Sequence, residues 1–200
     1  MRRREFITFL GGAIIEWPLS ARAQQSRKMY VIGLLSSGVE FTCSELRAVL
    51  IGALQELGWA EGKNIVFESR CAEDRLDRLS GLVAELVRLN VDVIVTRGTP
   101  AALVAKQATA SIPIVMTTTG DPVGTGLVAS LARPGGNITG LSLMSPEVGG
   151  KRLEMLREVL PHMSHAAVLW NSANPYAAIV FRNTANAARS VGIELQSLEV

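Results

Sequence analysis

The chain has 200 residues, of which 48% are hydrophobic and 5% aromatic, and its 20 basic and 18 acidic residues give a formal net charge of +2. A chain of this length and apolar content can bury the core of one domain, or of one domain and part of a second. The charge balance provides neither the basic surface typical of nucleic-acid binding nor an acidic disordered tail, and no apolar run has the ~18 residues of a membrane span.

The first 23 residues have the layout of a secretory signal. Residues 2–4 are arginines, residues 6–19 are mainly apolar, and a small-x-small pattern ends at Ala23, after which cleavage is expected. The stretch Arg3–Ile7 is similar to a twin-arginine signal, and no cysteine follows the cleavage point to carry a lipid. Glu16 places a charge within the apolar stretch, so an uncleaved amphipathic helix is the alternative.

Beyond residue 28, short apolar runs of strand length alternate with helical periodicity. The predicted strands are 30–35, 65–68, 91–95, 114–116 and 137–143, and the predicted helices are 46–57, 79–86, 100–111 and 126–132. Strand and helix repeats in series predict an α/β fold, with a doubly wound parallel sheet forming a first lobe over residues 28–144.

After Met144 the alternation begins again. Ser145-Pro146-Glu147 is a predicted helix cap, and the elements that follow it are a helix over 148–159, a strand over 166–170, a helix over 176–191 and a strand over 193–198. These elements are too few to complete a second sheet. The sequence therefore predicts a partial second α/β lobe over residues 145–200.

Four loops at the ends of the predicted strands are rich in hydroxyl groups and glycine: 36–38, 97–100, 118–122 and 142–145. Ligands of open parallel sheets bind beyond the carboxyl ends of the strands, so these loops are candidates for holding a small polar molecule. The alternative is that the same residues only cap helices and form turns. Gly120, Gly124 and Gly126 do not have the G-x-G-x-x-G order, which disfavours a nucleotide-binding loop.

Several segments carry a family resemblance. They are the twin-arginine start with its LGG and WPL-ARAQQ elements, ALQELGW-EG-NI at 53–65, GTPA at 98–101, IPIV at 112–115, DPVGTGLVASLARPGGNITGLS at 121–142 and GGKRLEMLREVLP at 149–161. Together they resemble the ABC-transporter substrate-binding proteins of the tryptophan/tyrosine type. The resemblance implies an exported type I periplasmic binding protein whose two lobes close on a small solute and deliver it to an ABC permease. Members are typically longer, so the chain resembles one truncated in its second lobe.

The resemblance also implies which residues face the cleft. Those of the first lobe are Ser36, with its neighbour Ser37, and Thr99, Thr119, Gly120 and Asp121, and those of the second lobe are Asn171 and Asn174. An amino-acid-like ligand suits this set, because hydroxyls and helix-end N–H groups hold a carboxylate and an acidic side chain holds an ammonium. Asp121 is the candidate for the ammonium, although an Asp before Pro122 is equally compatible with an N-cap.

Catalysis has no comparable support, because the sequence has no G-x-S-x-G, H-E-x-x-H or Walker motif. His162 and His165 have a spacing that suits a metal, but no cysteine or carboxylate cluster accompanies them, so a solvated loop is expected. Cys43 and Cys71 are either a disulfide or two free thiols.

The sequence therefore predicts a non-enzymatic, periplasmic solute-binding component of an ABC importer, with no cofactor, no metal and no nucleic-acid partner. The alternative is a cytoplasmic flavodoxin-like enzyme or ligand-sensing lobe.

Overall fold

The structure is a computed structural model that describes residues 28–143 and 148–200. The predicted signal and the predicted cap at 145–147 lie outside the described residues. The first part contains β1 (Tyr30–Ser36), α1 (Glu40–Glu56), β2 (Ile65–Cys71), a 3₁₀ turn (Leu76–Arg78), α2 (Leu79–Arg88), β3 (Val93–Arg97), α3 (Thr99–Ala108), β4 (Ile114–Gly120) and β5 (Ile138–Leu143).

These strands form a five-stranded parallel sheet in the order β2-β1-β3-β4-β5, called here the N-terminal sheet. Successive side chains of a strand point to opposite faces, so β1 contributes to two cores. Ile32 and Leu34 pack toward α1, whereas Leu35 packs with the apolar faces of α2 and α3. Helices on both faces confirm the predicted doubly wound arrangement.

The predicted helix over 126–132 is wrong. This segment is a series of turns, because the N–H groups of Leu127 and Val128 both donate to the carbonyl oxygen of Pro122, at 2.8 and 3.0 Å, instead of continuing a helical ladder. Gly126 has a φ of +73°, a left-handed conformation that interrupts a right-handed helix. The apolar spacing reflects burial of Leu127 and Val128 against the core rather than helical periodicity.

The second part contains α4 (Val148–Val159), β6 (His165–Trp170), α5 (Pro175–Ser190) and β7 (Glu194–Glu199). The strands β6 and β7 pair in parallel as a two-stranded sheet, called here the C-terminal sheet. Leu153, Ala188 and Ile193 form its buried cluster. His165 is the exposed first residue of β6 rather than part of a loop, so the loop prediction holds for His162 alone. Within the described ranges, no helix is long and apolar enough to cross a membrane.

Candidate functional site

The carboxyl ends of β1, β3 and β4 meet at one edge of the N-terminal sheet, because the strands are parallel neighbours. Backbone hydrogen bonds join their loops laterally: the N–H of Ser37 donates to the carbonyl oxygen of Arg97 at 3.2 Å, and that of Gly98 donates to Thr118 at 3.2 Å. The three loops, which the sequence analysis selected because they follow predicted strands, therefore form one continuous polar edge.

Ser36 and Thr99 lie within this edge as buried hydroxyls, 1% and 3% exposed. Ser36 Oγ accepts from the Gly38 N–H at 3.1 Å, and Thr99 Oγ1 accepts from the Gly120 N–H at 3.1 Å. Ser37 is half-buried, and its Oγ lies 3.4 Å from the carbonyl oxygen of Arg97, to which it donates. Each of these side chains therefore stabilises the loops, whether or not it also contacts a solute.

Thr119 differs from them. Its side chain is fully buried, yet Oγ1 has no hydrogen-bond partner among the described residues. Ser142, its register partner on β5, likewise has a buried Oγ without a described partner. Burying a hydroxyl without a partner is costly, so such groups in native proteins are often functional.

Two helices begin at the same edge without side-chain caps. The N-cap residues are Val39 for α1 and Gly98 for α3, and neither supplies a capping oxygen. Gly98 has a φ of +92°, and a Cβ on it would overlap Ser37 Oγ, so both its conformation and its surroundings require glycine. Uncapped N-termini present N–H groups and the positive end of the helix dipole, which together suit a carboxylate.

Asp121 lies beside this edge in a turn and not at a helix start. Its φ is +37°, and Oδ1 accepts a hydrogen bond from the Gly124 N–H at 2.8 Å. The expected N-cap role is therefore wrong in detail, because no helix follows, but the carboxylate does stabilise local backbone. Its contact with a ligand ammonium stays a prediction.

Asn171 and Asn174 lie in the turn that follows β6. Asn171 is exposed, and its Oδ1 accepts from the Ala173 N–H at 2.9 Å. Asn174 is half-buried and is the N-cap of α5, because its Oδ1 accepts from the Tyr176 N–H at 3.1 Å. Both asparagines thus follow the carboxyl end of β6, and their predicted contact with a solute stays a prediction.

Tyr176 connects this turn to the N-terminal sheet, and the sequence analysis did not select it. Its ring packs on Gly120 so closely that a Cβ at Gly120 would overlap it. The available signal was its place directly after the Asn174-Pro175 cap, beyond the end of a strand. The contact brings the start of α5 against the end of β4, and a single site shared by the two predicted sets of residues stays a prediction.

Cys43 and Cys71 form a disulfide, with their Cα atoms 6.4 Å apart, which settles the alternative that the sequence left open. The bond ties the first turn of α1 to the end of β2, and Arg97 Nη1 ties the same turn to β3 by donating to the Thr42 carbonyl oxygen at 2.7 Å. Glu40 lies beside the two sulfurs, but disulfide sulfurs are not available as thiolate ligands for a metal.

A cavity of about 500 Å³ adjoins the site from the side of the C-terminal sheet. It lies among α4, β6 and α5 and has a mainly apolar lining that includes the Trp170 and Phe181 rings, stacked with centroids 4.7 Å apart. Asn174 and Tyr176 reach it, whereas Ser36, Thr99 and Thr119 do not line it.

Comparison with known proteins places the chain in a family. The ABC transporter substrate binding protein family matches residues 42–200. A tyrosine-binding protein of Clostridioides difficile is 32% identical over 149 residues, which are 74% of this chain and 42% of that protein. The chain thus spans less than half the length of this curated relative.

Solved structures agree with this assignment. A conserved domain protein of Vibrio cholerae is 31% identical, with a TM-score of 0.79 over 86% of this chain and 58% of that one. An ABC domain of Streptococcus pneumonia, solved with L-Trp, is 23% identical with a TM-score of 0.76 at the same coverage, and this likeness shows the fold. The five-stranded parallel sheet is the type I periplasmic binding protein fold that the sequence predicted. The chain therefore belongs to the ABC transporter substrate binding protein family.

Proposed function

We propose that this chain is the solute-binding part of an ABC importer and that it binds an α-amino acid between its two sheets. The observation that carries the proposal is the convergence, at one sheet edge, of two uncapped helix N-termini with the fully buried, unpartnered hydroxyl of Thr119. Family membership favours this function over the flavodoxin-like alternative.

The two ends of an amino acid match different parts of the site. Its carboxylate is held by N–H groups at the start of α1 or α3, where the helix dipoles favour a negative charge. Its ammonium is held by Asp121, whose Oδ1 already accepts one N–H and whose second oxygen provides further acceptor capacity. Asn171 and Asn174 contribute from the opposite side through their amide groups.

The relatives support an amino acid as the solute class. One is named for tyrosine binding, and another was solved with L-Trp. Since the chain spans 42% and 58% of these proteins, the solute and the permease partner are proposals for this chain. Delivery to an inner-membrane permease implies that the protein works in the periplasm, which the predicted signal over residues 1–23 also supports.

Thr119→Val tests the binding site directly, because valine keeps the shape of threonine and removes the hydroxyl. Removing an unpartnered buried hydroxyl leaves the free protein equally stable or more stable, while losing a ligand contact weakens binding by about tenfold. Calorimetric titration with L-tyrosine, L-tryptophan and L-leucine measures the affinity, and thermal unfolding measures the stability.

Thr139→Val is the matched control, since Thr139 is an exposed threonine on β5. It should leave both affinity and stability unchanged. If the wild-type protein binds none of the three amino acids, the proposed solute class is wrong. If it binds one of them and Thr119→Val binds equally well, the assignment of Thr119 is wrong.

Export is tested by replacing Arg3 and Arg4 together with lysine. Twin-arginine transport requires the arginine pair, whereas the general secretory route requires only positive charge. We expect the double variant to accumulate in the cytoplasm when cells are fractionated. Unaltered export would contradict the twin-arginine prediction and leave a general secretory signal.

A further inference from the structure

Gly120, the last residue of β4, is a glycine for reasons of space. Its φ lies outside the left-handed region, so any L-residue could adopt its backbone conformation, in contrast to Gly98. A Cβ at Gly120, however, would overlap Cγ and both Cδ atoms of the Tyr176 ring. The space that a side chain at Gly120 would occupy is therefore filled by a ring from the C-terminal part of the chain.

The ring projects from a rigid position. Tyr176 is in the first turn of α5, where Pro175 precedes it and its N–H donates to Asn174 Oδ1 at 3.1 Å. Proline at this position fixes φ, and the cap holds the helix start, so the root of the side chain has little freedom. The half-buried ring reaches Gly120 without distortion of the helix, and α5 also lies against α3.

Gly120 is at the centre of the candidate site. Its N–H donates to Thr99 Oγ1, and its chain neighbours are Thr119 and Asp121. The separation between Gly120 and the Tyr176 ring thus sets the distance from these residues to Asn174, which caps the helix that carries Tyr176.

We propose that the Tyr176 ring seated on Gly120 is the contact that holds the C-terminal part of the chain against the N-terminal sheet when solute is bound, and that the absence of a side chain at position 120 determines how closely the two parts approach. Tyr176 is therefore a positioning residue for solute binding. Its effect on affinity rests on the proposed function, whereas the contact itself does not.

The contact can be tested without any ligand. The chain has two tyrosines, Tyr30 and Tyr176, so protein labelled with 3-fluorotyrosine gives two ¹⁹F resonances. Tyr30 packs against Trp59, with ring centroids 5.5 Å apart, and provides the internal reference. Gly120→Ala should shift the Tyr176 resonance and leave that of Tyr30 in place.

Gly136→Ala is the matched control, because a Cβ at Gly136 meets nothing within 4 Å and its φ lies outside the left-handed region. It should leave both resonances unchanged. A Tyr176 resonance that is the same in wild type and Gly120→Ala would overturn the proposed contact.

The effect on binding is tested with L-tryptophan as the probe. Forcing an extra methyl group into a packed contact is disruptive, so Gly120→Ala should weaken binding by about tenfold while Gly136→Ala binds normally. Tyr176→Ala should also weaken binding, because the closing contact is lost. In the double variant Gly120→Ala/Tyr176→Ala the clash is absent, so its affinity should equal that of Tyr176→Ala alone.

Additive losses in the double variant would overturn the proposal, since they would show that the two residues act independently. Tighter binding by Tyr176→Ala would also overturn it, because the ring would then be competing with the solute instead of closing the site. If the wild-type protein does not bind L-tryptophan, the solute assignment fails, and the ¹⁹F measurement still decides whether the contact exists.

Discussion

The two sheets of this protein differ in how much apolar surface they bury. Among the described residues, the N-terminal sheet has helices on both faces and two buried clusters, of 15 and 5 residues, whereas the cluster of the C-terminal sheet has 3. Leu169 on β6 is 68% exposed, whereas Leu153 belongs to the buried cluster of the same part of the chain. The N-terminal sheet therefore carries most of the stability, while the C-terminal part of the chain carries Asn171 and Asn174 of the proposed site.

Core truncation should show this difference most strongly. Leu86 is fully buried between α2 and the sheet, so Leu86→Ala should lower the free energy of unfolding by about 4 kcal/mol. Leu153→Ala should cost about 2 kcal/mol, because its surroundings are partly open and can relax into the space. Urea denaturation of both variants measures the difference, and equal losses would contradict the comparison.

The disulfide provides a second test, since it links α1 to β2 of the N-terminal sheet. It closes a loop with a sequence separation of 28 residues, so Cys43→Ser/Cys71→Ser should lose about 3 kcal/mol through the greater freedom of the unfolded chain. Reduction of the wild-type protein should give the same shift in urea midpoint. Reductant should not change the urea midpoint of the double variant. A change would show that the reductant acts on something other than the disulfide.

The smallest effect concerns Asp92, at the start of β3. A hydrogen bond from Lys28 Nζ at 2.6 Å, together with the Val31 N–H at 2.8 Å, holds the pKa of Asp92 below its ordinary value. A carboxyl whose pKa is lower in the folded than in the unfolded state stabilises the fold above its unfolded pKa, and this stabilisation is lost as pH falls through the folded pKa. Lys28 is exposed, so the effect is small.

Asp92→Asn should therefore lower the melting temperature at neutral pH, and its difference in melting temperature from wild type should narrow as the pH falls through the lowered pKa of Asp92, where the wild-type carboxyl also becomes protonated. Thermal unfolding across this range measures both. If the difference in melting temperature between wild type and Asp92→Asn is the same at all pH values, the loss of stability comes from geometry and not from charge. The measurement separates the contribution of the Asp92–Lys28 ion pair to the stability from that of the buried core.

Prediction from sequence succeeded where apolar runs determine local structure. The run 91–95 was predicted to be a strand buried on both faces of a parallel sheet, and its residues Val93–Val95 begin β3 and contribute to both buried clusters. The segment 126–132 misled the prediction, since Leu127 and Val128 are buried through turns that bond back to Pro122. The spacing of apolar residues indicates which side chains are buried. It does not indicate the backbone hydrogen bonds of the segment that carries them.

The alternation of strands and helices follows from the sequence. So does the edge of the sheet at which Ser36, Thr99 and Thr119 lie, because parallel connections place the carboxyl ends of all strands on one side. The reason why glycine is needed at a given position, however, is visible only in the tertiary structure. Gly98 is required by its φ and by Ser37, whereas the atoms nearest to a Cβ at Gly120 are those of the Tyr176 ring. That ring comes from α5, and a contact between residues so distant in the chain depends on packing that no local pattern encodes.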